Sequence, residues 1–175
     1  MPTLPLALID LDHTLLNTTH IKTDYRTLAS AVEAFSYFTG TEVDRYLYSD
    51  TIAFITYIKK YFIPAIFTEG PADFQKAKIS HSALAGLIDN NCRFVFDGFT
   101  KADQLSQLVA LHHPKLLVDD NPKNLETAHD LNLITVRVKR GDHRADPDIA
   151  TPDLTVASLQ EIVEKDLFAT FIIKV

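Results

Sequence analysis

Four stretches of the chain carry side chains able to do chemistry together. Asp10-Leu11-Asp12-His13-Thr14 follows an apolar run, Thr68-Glu69-Gly70 follows a second, Lys101 lies a turn beyond a third, and Asp119-Asp120 closes a fourth. Carboxylates gathered at one place repel one another, so keeping all of them ionised needs a cation among them. Ligands that are all oxygen, with no His or Cys quartet, favour Mg²⁺ over zinc, because a hard ion prefers carboxylate, carbonyl and water. Mg²⁺ commonly shares its coordination with a phosphate. Lys101 and Thr68 are donors of the kind that hold the remaining oxygens of such a phosphate. Asp10 and Asp12 are two residues apart, so on a continuing strand they would share a face at about 6.6 Å, which leaves room for phosphorus and a leaving oxygen. A carboxylate can attack phosphorus to give an aspartyl-phosphate, and a second carboxyl can protonate the departing alkoxide and then activate water.

These residues need a scaffold that brings separate stretches to one edge. The apolar runs at 4–9, 65–67, 93–96, 116–118 and 133–138 are short, nearly continuous and rich in β-branched or aromatic residues, the pattern of strands buried on both faces. Helical spacing separates them, over 73–88, 102–111, 122–130 behind the N-cap Asn121, and 158–167 behind a Ser158/Glu161 capping box. The alternation predicts an α/β fold, a three-layer Rossmann-like parallel sheet whose carboxyl edge is the binding edge. Residues 18–62 form the long interval without a strand-like run. One helix there runs through Tyr25, Leu28, Val32, Phe35 and Phe38, and another through Ile52, Ile55, Ile58 and Phe62. A right-handed crossover needs only one. The surplus is therefore expected to be a small helical cap insertion at 18–47, with 1–17 and 48–175 forming the core domain. Residues 141–152 read as an extended loop.

The four motifs, in this order, resemble those of the haloacid dehalogenase (HAD) superfamily. Asp10-Leu11-Asp12-His13-Thr14-Leu15-Leu16 resembles its first motif, Ala65-Ile66-Phe67-Thr68-Glu69-Gly70 its second and Lys101 its third, while the stretch from Leu116 through Asp119-Asp120 to Glu126 resembles its fourth. The resemblance spans residues 4–166, the insertion excepted. It implies that Asp10 is the nucleophile and a metal ligand. Asp12 would be the general acid/base and would offer its backbone carbonyl to Mg²⁺. Thr68 and Lys101, with Glu69 beside them, would bind the substrate's phosphate; Asp120 would bind the metal directly and Asp119 through water or as an orienting partner. Asn124 stands where the family often has an acid. Members that cleave carbon–halogen or carbon–phosphorus bonds generally lack a carboxylate at the position of Asp12, so its presence favours a phosphomonoester hydrolase of the phosphatase branch, with a small phosphorylated substrate. A phospho-receiver module uses similar parts in another order, and a binding protein that keeps the site without efficient turnover remains a third reading.

Composition narrows the rest. The chain has 175 residues, 46% apolar and 23% charged, as expected of one globular domain with a real core. Its net charge of −6 leaves no basic face for polymeric nucleic acid. The first apolar run stops at Asp10 with no basic segment before it, which argues against a signal peptide and a membrane span. The single cysteine, Cys92, suits a reducing compartment, so a cytoplasmic location is expected. Asn17-Thr18-Thr19 fits a glycosylation sequon, which in such a chain is a chance match. His112-His113 reads as a surface helix end, and Arg137, Lys139 and Arg140 as an exposed cluster that balances the acidic chain. His20 and the aromatic residues of 25–48 serve either a substrate mouth or the packing of the insertion. The apolar tail, 168–175, could add an edge strand or meet a second subunit; monomer and homodimer both stay open.

Overall fold

A computed structural model describes residues 4–172. Its centre is a six-stranded sheet of β1 (Leu6–Ile9), β2 (Ile63–Glu69), β3 (Arg93–Phe96), β4 (Leu116–Asp119), β5 (Ile134–Val138) and β6 (Leu154–Val156). The strand order is β3-β2-β1-β4-β5-β6, and every pairing is parallel. β1 lies in the middle, with Leu8 opposite Ala65 on one side and Leu117 on the other. Leu8, Ile9, Leu117 and Val118 are fully buried, each gaining roughly 1.5–3 kcal/mol from the apolar area removed from water. Chain order reverses between β1 and β4, and the crevice outside their carboxyl ends is where an open α/β sheet binds ligands. Asp10 follows β1 and Asp119 ends β4 at that point.

Between β1 and the crossover helix α3 (Thr51–Ile58) lie α1 (Thr18–Asp24), α2 (Leu28–Ser36) and a 3-10 turn at Glu42–Tyr46. The predicted helix through Tyr25 and Phe38 is α2, which starts at a capping box between Thr27 and Ser30, and α1 before it was not expected. Phe35 and Tyr46 of this segment are fully buried, and Phe35 packs edge-on to Phe74 at 5.0 Å between ring centroids. These aromatics serve packing.

The predicted helix at 73–88 is also divided, into α4 (Ala72–Ser80) and α5 (Leu84–Leu87). The break at residues 81–83 is held from a distance: the Ala83 amide donates to Asp44 Oδ1 at 2.7 Å, and the His81 carbonyl accepts from Val43 N–H at 3.0 Å. α6 (Lys101–His112) opens on a Thr100/Asp103 capping box. α7 (Pro122–Asp130) opens on Asn121, whose side chain accepts from the Lys123 amide, with proline in the first turn.

β6 lies inside a stretch too short and mixed to read as a strand, and is fixed by pairing Val136 with Leu154. α8 (Leu159–Glu164) lacks the expected Ser158 capping box. Asp50 takes its place, accepting from the Leu159 and Gln160 amides at 2.9 and 3.3 Å while pairing with Arg140 Nη1 at 2.9 and 3.0 Å. The tail is helical where described, α9 (Leu167–Ile172), and seats Phe168 against Phe54, Tyr57 and Phe62, so an edge strand there is excluded over those residues. Residues 173–175 lie outside the described part. No helix among the described residues is long and apolar enough to cross a membrane.

Candidate active site

Asp10, Asp12, Thr68, Glu69, Lys101, Asp119 and Asp120 all line one cleft of about 180 Å³ at the sheet's carboxyl edge. Each strand end supplies its own part. The Asp10 amide donates to the Val118 carbonyl at 2.9 Å, which extends the β1–β4 pairing one residue and sets the Asp10 side chain beside Asp119. The cap at Thr100 places Lys101 in the first turn of α6. Its Nζ bridges Asp10 Oδ1 and Asp119 Oδ2, the latter at 3.0 Å. Asp119 is fully satisfied, since Oδ1 accepts from the Asn121 amide at 2.8 Å and Oδ2 also accepts from Asn124 Nδ2 at 3.0 Å. Asn124 therefore replaces a possible ligand with a donor that steadies one. Thr68 is buried near the end of β2 and lines the same cleft.

The electrostatics are those of a site short of positive charge. Burial pushes the Asp10 carboxyl up to about 7, the Lys101 ammonium only partly offsetting it. Burial, with the charges of Asp10 and Asp119, pushes Asp120 up to about 9. For Lys101 burial acts against the charge, but Asp10 and Asp119 overcome it and raise its pKa. Oδ2 of Asp10 and Oδ2 of Asp120 are buried without a hydrogen-bond partner. Unpartnered buried carboxylate oxygens are costly. Asp10, Asp119 and Asp120 each offer an oxygen within 4.8 Å of the others, so the residues present fit a hard divalent cation.

Asp10 and Asp120 hold their protons more tightly folded than unfolded, so their contribution to the stability of the cation-free chain falls as pH rises between about 4 and 9. Adding Mg²⁺ at ~100 times its dissociation constant is expected to stabilise by about 2.7 kcal/mol, a rise of roughly 5–10 °C in melting temperature. The rise should be larger at pH 8 than at pH 5, as read by thermal denaturation; equal melting curves with and without the ion would exclude the cation site.

Asp12 is placed differently. Its carboxylate turns from the Asp10 cluster toward α4 and α1, where Oδ1 accepts from Thr18 Oγ1 at 2.5 Å and Oδ2 from Gln75 Nε2 at 2.8 Å. Lys78 Nζ reaches both oxygens, at 2.7 and 2.9 Å. Burial works against ionisation of Asp12, but the Lys78 charge and the hydrogen bonds from Lys78, Thr18 and Gln75 outweigh it and hold the carboxyl at about 2. Gln75 also donates to the Glu69 carbonyl at 2.8 Å. It crosses so close to Gly70, at φ 131°, that a Cβ there would lie 2.8 Å from its amide nitrogen, so glycine is needed at that turn.

Lys78, Gln75 and Thr18 were missed in the sequence. The available signal was the helix that follows Gly70 directly, which points its first turns back at the strand ends. Glu69, expected at the phosphate, instead accepts from the Lys101 amide at 2.6 Å. Its carboxylate serves the N-terminus of α6 and would repel a phosphate. The basic cluster is corrected too: Arg137 is fully buried and Arg140 nearly so. Arg137 donates to the Asp120 carbonyl and, at 2.7 Å, to that of His143, and Arg140 donates to the Thr14 carbonyl. His13, at φ 63°, lies 3.3 Å from Asp142 through Nε2, and Lys22 of α1 meets the same carboxylate at 2.6 Å. His113 ends α6 in the left-handed conformation, exposed and away from the cleft.

No protein-family model matches the sequence, and no curated protein matches it; the likeness is in three dimensions. A structure from Burkholderia xenovorans described as a haloacid dehalogenase-like hydrolase superposes with a TM-score of 0.72 at 19% identity, covering 98% of this chain and 99% of its own. A predicted phosphatase from Clostridium acetobutylicum gives 0.67 at 19% identity, over 95% and 99%. The HAD-hydrolase YfnB from Bacillus subtilis, bound to magnesium, gives 0.62 at 13% identity, over 97% and 99%. The chain has the HAD-like fold.

Proposed function

We propose that this chain is a hydrolase of small phosphomonoesters that uses Mg²⁺ and works through an aspartyl-phosphate on Asp10. The observation that carries the reading is the buried Asp10, with one oxygen on Lys101 and the other unpartnered, at the switch point of a HAD-like sheet beside Asp119 and Asp120. In the first half of the reaction an Asp10 oxygen bonds to phosphorus as the ester P–O bond breaks, and the leaving oxygen takes a proton from the Asp12 carboxyl, which must first take one up from solvent because its neighbours hold it ionised in the free chain. Lys101 and Thr68 hold the other phosphoryl oxygens where charge develops. In the second half a water oxygen bonds to phosphorus, its proton passes to Asp12, and the Asp10 carboxylate is released with inorganic phosphate. Asp10, Asp119 and Asp120 would hold the ion, whose charge, when bound, offsets that of the carboxylates and the phosphate together.

The small cleft favours a compact phosphorylated substrate, and the phosphatase and magnesium-bound structures of the same fold support the reading. A carboxylate at position 12 favours an oxygen leaving group over a halide. The test is phosphate release from 4-nitrophenyl phosphate: turnover is expected with Mg²⁺ and its loss with a chelator. Halide release from a 2-haloacid without any phosphate release would overturn the assignment.

A further inference from the structure

Lys78 is a buried cation that the reaction above does not use. It projects from α4, only 2% exposed, with Nζ 4.3 Å from the centroid of the Phe74 ring and bonded to both oxygens of Asp12. A lysine is strongly hydrated and loses much side-chain entropy when fixed, so holding one inside the protein is costly unless it is paired. The Asp12 side chain is itself 24% exposed at the cleft. With Thr18 on Oδ1 and Gln75 on Oδ2, Lys78 completes a set of contacts that fixes the carboxylate plane. An acid/base group acts well only when its orientation is held by neighbours that are themselves locked by packing, and Lys78 is the one neighbour that grips both oxygens.

We propose that Lys78 is a positioning residue that acts through Asp12, holding its carboxyl in the orientation from which it serves the leaving oxygen. The proposal rests on the reading of Asp12 as the acid/base of a phosphomonoester hydrolase. It makes a demand that a merely structural lysine would not. The parameter kcat/KM reports steps up to the first irreversible one, here transfer to Asp10. At that step 4-nitrophenolate departs without a proton, whereas the more basic phenolate needs one. Phenyl phosphate and 4-nitrophenyl phosphate have similar shape, so their ratio isolates the acid.

The experiment compares the two esters on wild type, Lys78→Met, Lys78→Arg, Asp12→Asn and the double variant Asp12→Asn/Lys78→Met. General acid–base help typically amounts to ~10²–10⁴-fold. Lys78→Met lets the Asp12 carboxyl keep a proton more readily but loses its orientation, and the second effect is expected to win, lowering kcat/KM on the order of 10²-fold for phenyl phosphate and less than about 5-fold for 4-nitrophenyl phosphate. Asp12→Asn should show the same pattern, the double variant no further loss, and Lys78→Arg, which keeps a two-pronged cation, a partial return. The double variant removes both charges at once, so it leaves no unpaired buried ion to unfold the chain if Lys78→Met does. Equal losses on both esters, losses that add to those of Asp12→Asn, or faster cleavage of phenyl phosphate in Lys78→Met would each overturn the role of Lys78 alone. A wild-type chain that cleaves neither ester overturns the hydrolase reading instead.

Discussion

Asp10→Asn is expected to abolish hydrolysis of 4-nitrophenyl phosphate, a loss on the order of 10⁴–10⁶-fold, while making the cation-free protein more stable at pH 8. The first half is the loss of the oxygen proposed to attack phosphorus. The second follows from burial: Asp10 is 3% exposed, has a carboxyl pushed up to about 7, and shares its cluster with Asp119 and Asp120. An amide of the same shape carries no charge to be desolvated and can still accept from Lys101. The gain should shrink as pH falls below 7, because the wild-type carboxyl takes up its own proton there. Phosphate release and melting temperature, measured on one preparation at pH 5 and pH 8, test both halves. Retained turnover would remove Asp10 from the nucleophile's role, and a melting temperature lower at pH 8 than that of wild type would contradict the electrostatics.

Lys101→Met is expected to be the most destabilising single change in the cleft. The ammonium bonds to Asp10 and Asp119 and is 4% exposed, so methionine would fill the volume but leave buried carboxylates facing one another. Breaking a buried pair by removing one partner costs about 3–5 kcal/mol, equivalent to a fall of ~10 °C in melting temperature for a chain of this size. The fall should be largest without divalent cation at pH 8. It should be smaller at pH 5, where Asp10 and Asp120, whose pKa values are raised, are protonated when folded. Millimolar Mg²⁺ should restore much of the stability and none of the activity, since the ion can offset the carboxylates but cannot replace the hold on a phosphate proposed for the lysine. A variant as stable as wild type at pH 8 would show that the carboxylates are not relying on this cation.

The strands around β1 and their carboxylates were readable because chemistry sits immediately after each apolar run, and α7 was readable because Asn121 and Pro122 mark a helix start by local rules alone. Lys78 was not, since a lysine three residues after a glutamine on a mixed helix looks like any solvated side chain. Only the direction of α4 from Gly70 turns it inward. Arg137 was misread for a related reason: one charged residue between Val136 and Val138 resembles the exposed side of an alternating strand, but here the fold brings the Asp120 and His143 carbonyls over it. The break between α4 and α5 depends on Asp44, 39 residues away, and the cap of α8 on Asp50, more than a hundred residues away. Such long-range partners leave no trace in local spacing.

The two buried arginines have a consequence for how this protein could diversify. Arg137 grips the carbonyl of Asp120 and Arg140 that of Thr14, so both acid-bearing loops are pinned through their main chains to the end of a single strand, from behind. The side chains that face the cleft take no part in that anchoring, which runs through main-chain carbonyls. Side chains along the cleft can therefore drift, and the clientele of the pocket can change, while the spacing of the two acid-bearing loops is kept.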